Sequence, residues 1–353
     1  MITKIRMASQ QLVHPQFSSP KDLVAYMGAM QAQEYTMAKW AVGIRLKSAT
    51  LGTVEDAIAK GEILRTHVMR PTWHFVVAED IRWMLRLSSE RIRRAYNSYI
   101  SGRKLEISEE HSILASDLIV KSLEGGKSLT KKEIEQVLSE AGILTDDTRI
   151  RRFLAFAEIE GIVCSGPDKG KEVTYALLDE RVPATPELTK EESLAKIARA
   201  YFRSHSPASL NDFVWWSGLS VTEARQAVAL IEGELLTDRF QAEKLFVHET
   251  WGTVRSAKNV LHLLPSYDEF LISYKDRTAV LASEHHPKAF NSWGIFYPVI
   301  LHNGRITGNW KKSSAKKGVD VSCSFFDGYT CEDEALLAGA MERYRKFIHA
   351  RIC

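Results

Sequence analysis

Ser128-Leu129-Thr130-Lys131-Lys132-Glu133-Ile134-Glu135-Gln136-Val137-Leu138, read on to Leu177, decides the fold. Thr130 followed three residues later by Glu133 is a capping box. Hydroxyl and carboxylate each satisfy a backbone N–H that a helix start leaves without a partner. Ile134, Val137 and Leu138 recur at helical spacing, and Gly142 supplies the stop. A second helix is expected from about Asp147, with Ile150, Phe153, Leu154 and Ala157 inward and Arg149, Arg151 and Arg152 mostly outward. The strand Gly161–Cys164, a Gly-, Pro- and Lys-rich turn over 166–171 and a return strand Val173–Leu177 follow. Helix, turn, helix and two-stranded ribbon is the order of a winged helix.

The same grammar appears on both sides. Downstream, a helix over Leu194–Phe202 precedes one near Ser209 with Asp212 three residues on. Gly218 then breaks the chain, and Ser220 with Glu223 opens a helix through Ile231. Segments 234–238 and 244–248 supply the ribbon. Upstream, Pro20 stands at a first helical position behind Ser19, Thr53 with Asp56 caps a helix through Ala59, and 64–77 supplies strands. Beyond about residue 255 the pattern turns strand-like, in 260–264, 294–301 and 305–310. Asn303-Gly304 is a strong hairpin signal, and a helix over about 332–350 closes the chain. The expected class is α+β: three tandem winged-helix (helix-turn-helix) units followed by a C-terminal β-barrel-like domain. The boundaries are 1–100, 101–185, 186–255 and 256–353.

Composition narrows the class. The 353 residues suit two or three domains, and 45% hydrophobic with 26% charged residues is ordinary globular usage. No window approaches the eighteen consecutive apolar residues of a membrane helix. Met1-Ile2-Thr3-Lys4-Ile5-Arg6 has no signal-peptide core. Cys164, Cys323, Cys331 and Cys353 have no Cys-x-x-Cys spacing and suit free thiols in a cytoplasmic protein, with a Cys323–Cys331 pair as the lesser alternative. The net charge of +3 excludes a histone-like binder on totals, but the bases cluster. Residues 82–104 hold Arg82, Arg86, Arg91, Arg93, Arg94, Arg103 and Lys104 against one acid, Glu90. On winged-helix scaffolding that stretch reads as a phosphate-contacting face; standing alone it would read as a solvated helix surface. Lys311-Lys312 and Lys316-Lys317, around a Ser-Ser-Ala loop, make a second candidate contact.

Two segments could carry chemistry. In Met30-Gln31-Ala32-Gln33-Glu34-Tyr35, two glutamines at spacing two do not share a helix face. They converge only if the helix ends there; otherwise they are two solvated amides. In Arg65–Val76, read as one strand, Thr66, Val68, Arg70, Thr72 and His74 share a face, while His67 and His74 oppose one another and make a poor metal pair. No metal or cofactor is expected, and no phosphate-cradling glycine loop or nucleophile elbow is present. From the residues alone, the chain is a cytoplasmic DNA-binding protein.

At these residues the sequence resembles the winged-helix DNA glycosylases of the AlkZ/YcaQ type. Met30-Gln31-Ala32-Gln33 is similar to the family's Gln-apolar-Gln motif. Arg70-x-Thr72-x-His74, with Glu79-Asp80-x-x-Trp83 behind it, resembles its Arg-x-Thr-x-His block. Leu263–Phe270, Tyr274-x-Asp276-Arg277 and Asn303-Gly304-Arg305 to Gly308-x-Trp310 resemble the C-terminal hallmarks, and the motifs keep their order along nearly the whole chain. The resemblance implies three winged helices with a C-terminal barrel. It also implies hydrolysis of the N-glycosidic bond of alkylated purines, with interstrand crosslinks or bulky adducts as further substrates, by a monofunctional enzyme. Gln31 and Gln33 are then the catalytic pair. Where other members carry Asp at the second position, Gln33 is an amide and cannot serve as a general base. Arg70, Thr72, His74, Arg82, Arg86, Arg91, Arg93, Arg94, Lys311 and Lys312 become the expected DNA-binding residues. Asp268, Glu269 and Arg277 read as a structural charge network. The implied partner is double-stranded DNA bound largely without sequence preference, by a monomer and away from membranes. The rival is a non-enzymatic winged-helix transcription regulator, for whose usual dimerisation no heptad segment is visible.

Overall fold

In the computed structural model, which describes residues 1–103, 107–240, 243–254, 257, 259–315 and 318–349, the capping box forms as the sequence requires. The Glu133 N–H donates to Thr130 Oγ1 at 3.2 Å, the Thr130 N–H donates to the Glu133 carboxylate at 2.6 Å, and the helix Lys131–Glu140 follows. Asp146 caps the next helix, Asp147–Ile159, by accepting from Thr148 and Arg149. Strands Val163–Ser165 and Thr174–Leu177 make the ribbon, with the two-residue strand Leu129–Thr130 added on the far side of Thr174–Leu177. The three helices Glu109–Leu123, Lys131–Glu140 and Asp147–Ile159 bury Ile119, Ile134, Leu138, Ile150 and Phe153 in one core.

The compact units of the chain are not linear in sequence. One comprises Asp56–Ser193; the other joins Met1–Glu55 to Leu194–Cys353. The first holds the hairpin Ile63–His67/Trp73–Val77, the long helix Ala78–Arg103 and the capped elements above. In the second, Ser220–Glu223 forms the other expected capping box, on helix Val221–Ala229, and the Ser209–Asp212 spacing turns out to form one as well, on helix Leu210–Ser217. Gly218 at φ +70° makes the turn between them. Strands Ala208–Ser209, Leu235–Phe240 and Glu243–His248 complete that segment.

The C-terminal sheet takes Leu261–Leu264, Val299–His302, Arg305–Ala315 and Gly318–Phe325 in sequence order, all antiparallel. Asn303 (φ +50°) and Gly304 (φ +83°) make the tight turn expected of that dipeptide. The sheet is open and curled, a half-barrel. Its closing helix Glu334–His349 sets Tyr344 and Phe347 against Trp40, and Tyr344 against Trp310. A Cβ on Gly43 would meet the Phe347 ring at 2.3 Å, so the contact requires glycine there.

Four local expectations need correction. The helix Leu51–Ala59 starts before Thr53, because Thr50 is its cap and its hydroxyl accepts the Thr53 N–H at 3.2 Å. Residues 66–74 are a hairpin and not one strand: Met69 turns at φ +64°, and Thr66 pairs with His74. Ser313-Ser314-Ala315, expected as a loop, continue the strand Arg305–Ala315 that carries Lys311 and Lys312. The strand expected over 294–301 begins only at Val299, because Asn291 braces residues 293–295 into a turn. Lys104, Lys316, Lys317 and Cys353 lie outside the described residues.

Candidate functional site

The glutamine segment falls where two helices fail to join. Pro20–Met27 ends because Gly28 takes φ +79°, a conformation that an L side chain resists. Met30–Gln31 is extended, and Tyr35–Gly43 restarts under a Glu34 cap, whose carboxylate accepts the Met37 N–H at 2.5 Å. Gln31 and Gln33 are thus freed from helical periodicity, the condition for convergence. Gln31 is only 5% exposed, so the solvated-amide alternative fails for it. Gln33 is half-buried. Its carbonyl oxygen is buried and accepts no hydrogen bond among the described residues.

Under this segment lies an anion. The Gln31 backbone N–H donates to Glu269 Oε1 at 2.5 Å, and Trp216 Nε1 donates to Oε2 at 3.2 Å. The Ser273 hydroxyl donates to the same oxygen, with His205 Nε2 at 3.5 Å. Burial by itself raises the Glu269 pKa, but the donors around it outweigh burial and hold it at about 2. Burial lowers the pKa of His205, against the Glu269 charge, which raises it. Next to Glu269, Asp268 accepts a two-pronged contact from Arg45, at 2.8 and 2.9 Å, with both side chains essentially inaccessible. Arg45 also donates to Gln10 at 3.0 Å. Asp268 is thus paired with Arg45 and Glu269 holds the backbone of the glutamine segment, whereas Arg277, expected in the same network, donates to the Leu271 and Lys275 carbonyls at 2.8 and 3.3 Å. Lys39 lies inside this unit, bonded to Glu55 at 2.8 Å and set over the Tyr35 ring.

Arg70, Thr72 and His74 belong to the other compact unit, on the Ile63–Val77 hairpin. His74 is fully buried; Nδ1 donates to the Thr72 carbonyl at 3.0 Å, which leaves Nε2 to accept from Arg70 at 3.5 Å. Behind them, Trp83 Nε1 donates to Asp80 at 2.8 Å. A neighbouring cluster escaped sequence reasoning. His67 pairs with buried Glu158 through Nδ1 and meets the Tyr96 hydroxyl at 2.9 Å through Nε2. Glu158 lies 91 positions from His67, so no spacing rule could have joined them.

The basic helix Ala78–Arg103 carries its arginines largely in pairs. Arg82 meets Asp179 at 2.8 Å, Arg86 meets Glu187 at 2.6 Å, Arg93 meets Glu160 at 2.5 Å and Arg94 meets Glu90 at 2.7 Å. Arg91 is half-buried. Lys311 and Lys312 stand exposed on the Arg305–Ala315 strand, without an acidic partner among the described residues. Among the described residues, no helix is long and apolar enough to cross a membrane. Cys164, Cys323 and Cys331 are free thiols.

Comparison with known proteins fits this geometry. A family model described as "DNA glycosylase AlkZ-like" matches residues 24–347. An interstrand DNA cross-link repair glycosylase of Streptomyces sahachiroi is 24% identical over 329 residues, covering 87% of this chain and 85% of the relative. The solved structure of Streptomyces sahachiroi DNA glycosylase AlkZ is similar with a TM-score of 0.75 at 20% identity, covering 98% of this chain and 95% of that one.

Proposed function

This chain belongs to the AlkZ-like DNA glycosylase family, and from that premise we propose a monofunctional hydrolase that releases alkylated, cationic purines from duplex DNA. The observation that carries the proposal is the buried carbonyl oxygen of Gln33, unengaged among the described residues, two positions from a Gln31 whose backbone is fixed on Glu269. A buried acceptor without a partner calls for a functional explanation. A water positioned for attack on the sugar is one that suits an amide.

A purine alkylated on a ring nitrogen already carries positive charge. The C1′–N bond breaks with its electron pair passing to the base, and the sugar becomes oxocarbenium-like. Water then adds its oxygen to C1′ and loses a proton to solvent. Neither glutamine takes that proton. Their carbonyl dipoles orient the water and offset the developing positive charge. Glu269 is the positioning residue: its carboxylate fixes the Gln31 backbone and adds a buried negative charge beneath the segment. The Lys39 ammonium is engaged by Glu55 and the Tyr35 ring, which supports simple hydrolysis over lyase chemistry.

Crosslinked or bulky lesions enter the proposal through the relative named for interstrand cross-link repair. The recurring order helix, short strand, helix, helix, ribbon, at 20–77, 109–177 and 190–248, supports three winged-helix units. Arg70, Thr72 and His74, the helix arginines and Lys311-Lys312 are proposed to engage the duplex of a monomeric, cytoplasmic enzyme without reading its sequence. The test is base release from methylated and from crosslinked duplex by wild type and by the Gln31→Ala, Gln33→Ala double variant. A fall of about 10²–10³-fold in the variant is expected, the scale of losing preorganised dipoles at a reacting centre. Equal release by both proteins refutes the glutamine assignment. No release by wild type from any alkylated duplex returns the chain to the binding-protein reading.

A further inference from the structure

Of eight tryptophans, seven are buried or half-buried, whereas Trp293 is 88% exposed. It sits on a turn built to hold its shape. The Asn291 side-chain oxygen accepts the N–H of Trp293 at 3.0 Å and of Ile295 at 3.1 Å. The Asn291 amide group donates to the Tyr297 hydroxyl at 3.2 Å, and the Asn291 N–H reaches the Ile295 carbonyl at 3.0 Å. Gly294 closes the turn at φ +76°, next to the tip. Beneath it, Phe290 and Phe296 stack at 5.2 Å with the Arg277 guanidinium over both rings. Ile295 and Tyr297 flank the indole at 43% and 37% exposure.

The register of the sheet fixes where this tip projects. Val299 pairs with Asn309, and Trp310 donates its N–H to the Pro298 carbonyl. Residues before 299 therefore leave the sheet at the same end as the arm that carries Lys311 and Lys312. Leu264 pairs with Val299, so the segment leading to Glu269 leaves at that end as well. Tyr267 on that segment lies 6.2 Å from Phe296; burial raises its pKa, with the Glu34 charge acting in the same direction. The exposed indole, Lys311 and Lys312, and the edge of the glutamine segment thus share one end of one unit.

We propose that Trp293 is a preformed stacking contact for a nucleobase of the bound duplex. An exposed indole on a braced turn offers a flat π face with little ordering entropy left to lose. Lysines at the same end supply phosphate attraction, so a nucleic acid suits the surface better than an apolar partner does. The proposal rests on duplex DNA as partner and not on the glutamine assignment, so its test reads binding separately from base release.

The experiment measures duplex affinity by fluorescence anisotropy for wild type, Trp293→Ala and Trp293→Phe, at several salt concentrations. The probes are an undamaged duplex and one with an abasic-site analogue beside 2-aminopurine. Trp293→Ala should bind about 5- to 100-fold more weakly, the alanine cost of one stacked base. Trp293→Phe should retain most of the affinity, and the 2-aminopurine signal should change for wild type but not for the alanine variant. The salt slope should stay constant, because no charge is removed. Thermal melting checks the fold, which an exposed tip does not support. Wild-type affinity and 2-aminopurine response in Trp293→Ala overturn the proposal. So does a loss of binding that tracks a change in sedimentation, which would make a second copy of the chain the occupant.

Discussion

Two sets of carboxylate pairs set the energetics of this molecule, one in each compact unit. Asp268 and Glu269 are sealed: Arg45, Gln31, Trp216 and Ser273 surround carboxylates only 2% and 1% exposed. Asp179, Glu187 and Glu90 on the basic-helix side have side chains 84%, 83% and 78% exposed. Water can replace an arginine at the second set and cannot at the first. The same chemical pair is therefore costly to break in one region and nearly free to exchange in the other. Rigidity belongs with the segment that would orient a water. Exchangeable pairs belong with a surface that would trade carboxylates for phosphates.

The largest effect should come from Asp268→Ala, which strands the Arg45 charge in the core. Unfolding by denaturant should show a loss of about 3–5 kcal/mol. The same substitution at Asp179 should cost about 0–1 kcal/mol. Equal costs at the two sites would break the comparison.

Acid should probe the unit that holds the sealed pair next. Burial lowers the folded-state pKa of His262 from 6.5 to about 3, and the donor shell lowers that of Glu269 from 4.5 to about 2. In both cases the unfolded chain binds the proton more readily, so stability is complete above the unfolded value and falls as pH drops. The His262 contribution should be lost between pH 6.5 and about 3, and that of Glu269 between 4.5 and about 2. Glu269→Gln should remove the lower step from a stability–pH profile. It should also slow base release by roughly tenfold, in kcat more than KM, if the Gln31 anchor serves the chemistry. A profile unchanged by Glu269→Gln would show that this carboxylate is not held as an anion.

How far the sequence could be read follows from the distances involved. Capping boxes at Thr130, Ser209 and Ser220 are legible because cap and partner lie three residues apart. The helix break that frees the glutamines is marked by Gly28 close by. The Asn303-Gly304 turn is legible for the same reason, whereas 291–297 misleads: its apolar run imitates a strand, and the single side chain of Asn291 overrides it. Glu269 under Gln31 is 238 positions away, and the acids opposite Arg86 and Arg93 are 101 and 67 positions away. A local charge count therefore overstated the helix, and a local amide pair understated the site.

The smallest effects should come from the exposed charges, and they discriminate most finely. Among the described residues Lys311 and Lys312 have no carboxylate to leave, so each phosphate contact they make should count fully. Lys311→Ala with Lys312→Ala should lower the slope of log affinity against log salt by about 2. Arg86 and Arg93 must first give up Glu187 and Glu160, and those carboxylates stay behind to repel phosphate. Arg86→Ala should therefore shift the slope by less than 1. Glu187→Gln or Glu160→Gln should tighten duplex binding by a few-fold at low salt, with the gain vanishing as ions screen the surface. An affinity that falls when either glutamate is neutralised would mean that the pair itself holds the binding surface in place, and the helix would then resemble the sealed region more than its exposure suggests.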